Sequence, residues 1–155
     1  MGEDQGRIGK KAKDFSLRDQ NGQECRLSNF LGRKVLLSFH PLAWTPVCAQ
    51  QMKDLEKNKK AFDKHNTVAL GLSVDSIPCK AAWAKSLRIT KTALPADFWP
   101  HGAVAKSFGI LRPEGFSERA NILVDEKGKV IWVKIYPIKT LPDLAEVLAV
   151  LETGP

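Results

Sequence analysis

The run Phe39-His-Pro-Leu-Ala-Trp-Thr-Pro-Val-Cys48 holds the residue types and spacing best suited to chemistry in this chain. An apolar stretch ends there, prolines pin the loop that follows, and a cysteine falls where a helix begins. Helix starts leave backbone N–H groups without intrahelical partners and carry partial positive charge, so they favour a thiolate over a thiol. A free cysteine ionises near ~8.5, and such a setting lowers that by about one to several units. Thr45 stands three residues upstream and can turn its hydroxyl toward the sulfur or toward an incoming oxygen. Pro41 and Pro46 restrict the backbone, so the pocket is shaped before a substrate arrives. The plainer alternative makes Cys48 a small buried hydrophobe on its helix's apolar stripe.

The other cysteines are Cys25 and Cys79. Three in all is an odd number, which argues against a disulfide framework and for thiol chemistry or simple burial. Neither the cysteines nor His40, His65 and His101 have zinc-site spacing, so neither metal nor cofactor is expected. Cys25 reads as structural or incidental.

Positioning Cys48 requires a set of elements that the patterning supplies. Asp14–Leu17 and Gln23–Leu27 read as strands of a hairpin around Asp19-Gln-Asn-Gly22. Arg33–Phe39 and Thr67–Val74 read as buried strands. The spacing of Cys48, Met52, Leu55 and Phe62 predicts a helix from Pro46 to about His65, with Pro46 suited to its first turn. A second helix is expected over Cys79–Leu87 with Ala82, Trp83 and Leu87 inward. A short helix follows at Ala103–Phe108, then strands Ala120–Val124 and Val130–Tyr136 and a last helix at Leu141–Leu151. Two strand–helix units in succession imply a right-handed parallel crossover, and the late hairpin adds antiparallel strands. The expected class is α/β: a thioredoxin fold with a mixed central sheet flanked by helices and an N-terminal β-hairpin extension, as one domain over residues 1–155.

Composition narrows the partners. Of 155 residues 43% are hydrophobic and 26% charged, as in ordinary globular proteins. No stretch approaches a membrane span, and Met1–Arg7 is polar without an apolar signal core, so the expectation is cytoplasmic with no membrane partner. Net charge is 24 − 17 = +7. Lys53, Lys57, Lys60 and Lys64 share one helical stripe, but Asp54, Glu56 and Asp63 interrupt it and no aromatics accompany it. A solvated helix face is expected rather than a nucleic-acid surface.

Pro41-x-x-x-Thr45-x-x-Cys48 resembles the peroxiredoxin active-site pattern. The resemblance continues in order through Gly71-Leu-Ser-Val-Asp-Ser76, Ala82-Trp83, Asp97-Phe-Trp-Pro-His-Gly102 and Arg119-Ala-Asn-Ile-Leu-Val-Asp125. The Asp97–Gly102 stretch looks most like the alkyl hydroperoxide reductase E branch. The resemblance implies a thiol peroxidase in which the Cys48 thiolate attacks a peroxide and becomes a sulfenic acid. It implies that Arg119 stabilises thiolate and leaving oxygen, that Thr45 orients the peroxide and that Pro41 shields the sulfur. It also implies a homodimer paired through the loops around the site, with Gln51 at a position that can meet a neighbouring subunit. His40 is expected as pocket wall. Trp44, Trp83 and Trp99 either line the site or are ordinary core aromatics.

Two matters stay open at this point. Cys79 follows a strand neighbouring the one before Cys48, so it is a candidate resolving cysteine. A disulfide needs Cα atoms within roughly 7 Å, which the placement only marginally allows. The other reading is a one-cysteine enzyme reduced by a thioredoxin-like, glutaredoxin-like or low-molecular-weight thiol. Against the peroxidase stand a disulfide oxidoreductase, for which Val47–Gln51 lacks a Cys-x-x-Cys, and a non-enzymatic interaction module or holdase, which gives Arg119 and Thr45 no special role.

Overall fold

The computed structural model describes residues 7–155; the remainder of the polar stretch Met1–Arg7 lies outside the described residues. Strands β1 (Ser16–Arg18) and β2 (Glu24–Arg26) form a separate antiparallel hairpin. Its turn is closed by Asp19, whose Oδ1 accepts from the N–H groups of Asn21 and Gln23. Gly22 takes φ +74°, which costs a residue without Cβ little.

The central sheet runs β4–β3–β5–β6, with β3 Lys34–Phe39, β4 Thr67–Leu72, β5 Arg119–Val124 and β6 Val130–Tyr136. β3 pairs parallel to β4 and antiparallel to β5, and β5 pairs antiparallel to β6. β5 is buried throughout and β3 at every position after Lys34, which explains their continuous apolar sequences. The sheet is the mixed one expected from the element order, and the fold is the thioredoxin fold.

Among the described residues five α-helices flank it: α1 Pro46–Lys57, α2 Lys59–Lys64, α3 Ile77–Leu87, α4 Ala103–Ser107 and α5 Leu144–Thr153. On one face Met52, Leu55, Trp83 and Val147 from α1, α3 and α5 pack on Leu36 and Leu123. On the other, Val104 and Ala105 of α4, Phe108 just after it, and Cys25 of the hairpin pack on Val35, Leu37 and Phe39. Gly71 of β4 lets α1 sit close. A Cβ there would run into the Met52 sulfur and a Leu94 methyl, and Met52 is one turn beyond Cys48. Burying that one methionine is worth about 1.5–3 kcal/mol, so the seat of α1 is firm.

Three expectations change. The predicted helix from Pro46 to His65 is two helices, because the chain leaves helical geometry at Asn58 (φ −97°, ψ 13°), whose side-chain amide donates to the Asp54 carbonyl. The second helix begins two residues earlier, at Ile77. Ser76 caps it by accepting from the Cys79 N–H, and Lys80 rather than Ala82 points inward. The last helix starts at Leu144 because Asp143 caps it by accepting from the Ala145 N–H, leaving Leu141 exposed. Lys53, Lys57, Lys60 and Lys64 are all exposed.

Candidate active site

The β3–β5 register opposes Phe39 to Ala120, so Arg119, the first residue of β5, lies where β3 gives way to the loop before α1. Cys48 is in the first turn of that helix, which Thr45 opens in extended geometry with Pro46 following. The two side chains meet. Arg119 Nη1 donates to Cys48 Sγ at 3.2 Å and to Gln51 Oε1 at 2.9 Å, while its Nε donates to the Ile138 carbonyl at 2.8 Å.

Arg119 is 3% exposed and Cys48 1%. A buried guanidinium must find acceptors and a counter-charge. Among the described residues no carboxylate is paired with it, so the Cys48 sulfur is the partner able to carry the balancing negative charge. This contact ties the first turn of α1 to the start of β5.

Gln51 is buried rather than placed at the surface. Its Nε2 donates to Ser38 Oγ at 2.8 Å and to the Phe39 carbonyl at 3.1 Å, so its Oε1 is presented to Arg119. It therefore locks the arginine to the end of β3 within the same chain. The sequence signal was a polar residue on the inner stripe one turn after Cys48, between Cys48 and Leu55.

Pro41 is buried and Thr45 half-buried at the loop's two ends. The Thr45 hydroxyl donates to the Leu42 carbonyl at 2.9 Å and does not cap the helix, which leaves its oxygen lone pairs free to accept a hydrogen bond. Trp44, between them, holds φ +67°, an unfavourable region for a bulky residue that persists only when neighbours enforce it.

Cys79 is half-buried in the first turn of α3, with its Sγ 3.9 Å from Asp75 Oδ1. Burial and then the Asp75 carboxylate push its thiol up. Asp75 Oδ2 also accepts from the Ala43 N–H, which ties this segment to the loop before Cys48. Cys25 is buried in the hairpin, pushed up to about 12 by burial and Asp19, and far from this site in the fold. Trp83 is core, whereas Trp44 and Trp99 are exposed.

His40 is fully buried against Trp83, ring centroids 5.3 Å apart, and neither ring nitrogen has a hydrogen-bond partner. Burial, with the charges of Lys80 and Arg119 adding to it, holds it well below the ordinary 6.5. The folded state therefore keeps His40 neutral while the unfolded chain protonates it. Its contribution to stability is intact above 6.5 and drains away as the pH falls from there toward the folded-state value. Thermal midpoints followed by circular dichroism should fall less steeply on acidification below neutrality in His40→Phe than in the wild type. Parallel curves would assign the acid sensitivity to other groups.

Fold and site together define a thioredoxin-fold protein with one arginine-held cysteine at the carboxyl end of its central strands. The chain matches the AhpC/TSA family over residues 8–133. It is 38% identical over 123 residues to alkyl hydroperoxide reductase E of Mycobacterium tuberculosis, covering 78% of this chain and 80% of that one. It is 32% identical over 151 residues to a peroxiredoxin of Ignicoccus hospitalis, covering 94% of this chain and 64% of the other. The crystal structure of reduced Plasmodium vivax 2-Cys peroxiredoxin superposes with a TM-score of 0.88 at 29% identity, covering 94% of this chain and 80% of that chain. The chain belongs to the AhpC/TSA family. It is a peroxiredoxin, an oxidoreductase that reduces peroxides at the expense of thiols.

Proposed function

We propose that Cys48 is the peroxidatic nucleophile, and the 3.2 Å contact from Arg119 to its sulfur carries the assignment. The thiolate attacks the distal peroxide oxygen and an S–O bond forms as the O–O bond breaks. The leaving oxygen departs as alcohol or water once protonated, and Cys48 is left as sulfenic acid. Arg119, held by Gln51 and Ile138, stabilises first the thiolate and then the charge growing on the leaving oxygen. Thr45 accepts a hydrogen bond from the hydroperoxide O–H and so orients the substrate, that proton ending on the leaving oxygen, and buried Pro41 keeps water off the sulfur.

Cys79 resolves the sulfenic acid in this reading. Its thiol attacks the Cys48 sulfur, an S–S bond forms as the S–O bond breaks, and the thiol proton passes by way of Asp75 to the departing hydroxyl, which leaves as water. A dithiol reductant of the thioredoxin or glutaredoxin type then returns both thiols. Support comes from the shared sheet edge, the parallel β3–β4 pairing that puts both cysteines there, and Asp75, which meets both Cys79 and the Ala43 N–H of the Cys48 loop. Trp44, Phe98 and Trp99 are exposed, the latter two beside a cleft with Ile77 and Pro78 at the start of α3. That apolar surface suits pairing with a second copy of the chain as a homodimer, with catalysis in the cytoplasm.

Mass spectrometry after one equivalent of hydrogen peroxide tests both steps. The wild type should lose two hydrogens with a Cys48–Cys79 linkage, and Cys79→Ser should give a trappable sulfenic acid on Cys48. A trappable Cys48 sulfenic acid persisting in the wild type would remove Cys79 from the cycle. An unmodified Cys48 in both proteins would overturn the nucleophile assignment.

A further inference from the structure

Lys80 is fully buried, unusual for a lysine, and no step above uses it. Its Nζ donates to the Gly71 carbonyl at 3.0 Å, to Ser73 Oγ at 2.8 Å and to the Pro95 carbonyl at 3.0 Å. Ser73 Oγ in turn donates to Asp75 Oδ2 at 2.7 Å, and that same carboxylate oxygen accepts from the Ala43 N–H at 2.8 Å. Ala43 lies between Pro41 and Thr45 and directly precedes Trp44, the loop's positive-φ residue.

We infer that Lys80 is a positioning residue for peroxide reduction: through Ser73 and Asp75 its ammonium fixes the Ala43 N–H and so the loop that frames Cys48. The inference rests on the peroxidase reading. A serine hydroxyl has one proton, and an ammonium aimed at its lone pairs leaves that proton for Asp75. Asp75, held from one side, is then a fixed acceptor for a backbone segment that would otherwise relax its strain.

The three bonds require the charged form. A neutral amine has two N–H groups and one lone pair, and the Gly71 and Pro95 carbonyls cannot donate to it. Ser73 can, so loss of the proton from Lys80 turns the hydroxyl toward nitrogen and away from Asp75. Burial brings Lys80 down to about 7, opposed by the groups that face it: Asp75 from the loop after β4, Cys79 from α3, Asp97 from the neighbouring segment and Cys48 from α1. His40, at the end of β3, faces it as well and is itself held neutral. The relay thus opens as the pH rises through the neutral range.

Stopped-flow oxidation of Cys48 by hydrogen peroxide, from about pH 6 to about pH 9, reads the relay in the wild type, Lys80→Met, Ser73→Ala and the double variant. Each single variant should be slower by about tenfold at pH 6, the worth of one charge-assisted hydrogen bond in a buried site, and the double variant no slower than either. The wild type should lose its advantage over the variants as the pH rises past about 7. Single-variant rates equal to the wild type, losses that multiply in the double variant, or an advantage independent of pH would each overturn the relay. A wild type that does not react with peroxide would instead overturn the peroxidase reading. Should Lys80→Met not fold, Ser73→Ala alone carries the test through its rate and its pH profile.

Discussion

Replacing Cys48 by serine brings peroxide consumption down to the uncatalysed background while the fold survives. Serine differs from cysteine by one atom, and Cys48 occupies a small buried position on the inner stripe of α1, so the packing cost is slight. The chemistry does not survive. A serine hydroxyl is not ionised at neutral pH and its oxygen cannot take up a second oxygen as sulfur does. Cys25 offers no substitute, since a thiol pushed up to about 12 is fully protonated at neutral pH. Cys79 is also pushed up, by burial and the Asp75 carboxylate. Following peroxide loss with an excess of dithiol, and the circular dichroism spectrum of the same sample, checks both halves. Turnover persisting in a folded Cys48→Ser protein would move the reaction to another residue.

Arg119→Ala should slow oxidation of Cys48 by about a hundredfold to a thousandfold, roughly 3–4 kcal/mol of transition-state stabilisation, as for loss of one preorganised donor at a developing oxyanion. The alanine also leaves Gln51 Oε1 and the Ile138 carbonyl without their donor, so the thermal midpoint should fall with it. Arg119→Lys separates the two effects. It keeps a positive charge but cannot reach Cys48, Gln51 and Ile138 together, because an ammonium lacks the guanidinium's planar fork. Its rate should lie between those of the wild type and the alanine variant. The measurement is the second-order rate constant for peroxide by tryptophan fluorescence. An Arg119→Ala rate within threefold of the wild type, about 0.65 kcal/mol, would show that the contact is structural only.

Much of this was readable beforehand, and the reasons are local. Pro46 at a helix start, an apolar run ending at Phe39, and the turn at Asp19–Gly22 each leave signals within a few residues, so β3, the start of α1 and the hairpin were placed to within one or two positions. The approach of Arg119 to Cys48 followed from one antiparallel pairing. What could not be read was which polar residues turn inward. Lys80 sits at the spacing of Trp83, Ala84 and Leu87 on α3, but a lysine on an apolar stripe reads as a surface residue until its three acceptors are seen on two separate stretches of chain, Gly71–Ser73 and Pro95. Gln51 was hidden for the same reason, its partners coming from β3 and β5. The break at Asn58 depends on a side chain folding back on its own helix, and hydrophobic spacing carries no trace of it.

Arg119 answers to three partners, of which, in the mechanism we propose, only the sulfur changes during a turnover. When Cys48 is oxidised, the negative charge goes, yet the amide of Gln51 and the carbonyl of Ile138 keep their grip on the cation. In that mechanism the two neutral partners hold the guanidinium in place through the oxidised half of the cycle, like a docking clamp left open. Once a reductant restores the anion it finds its berth already made, and the next cycle begins without rebuilding the site.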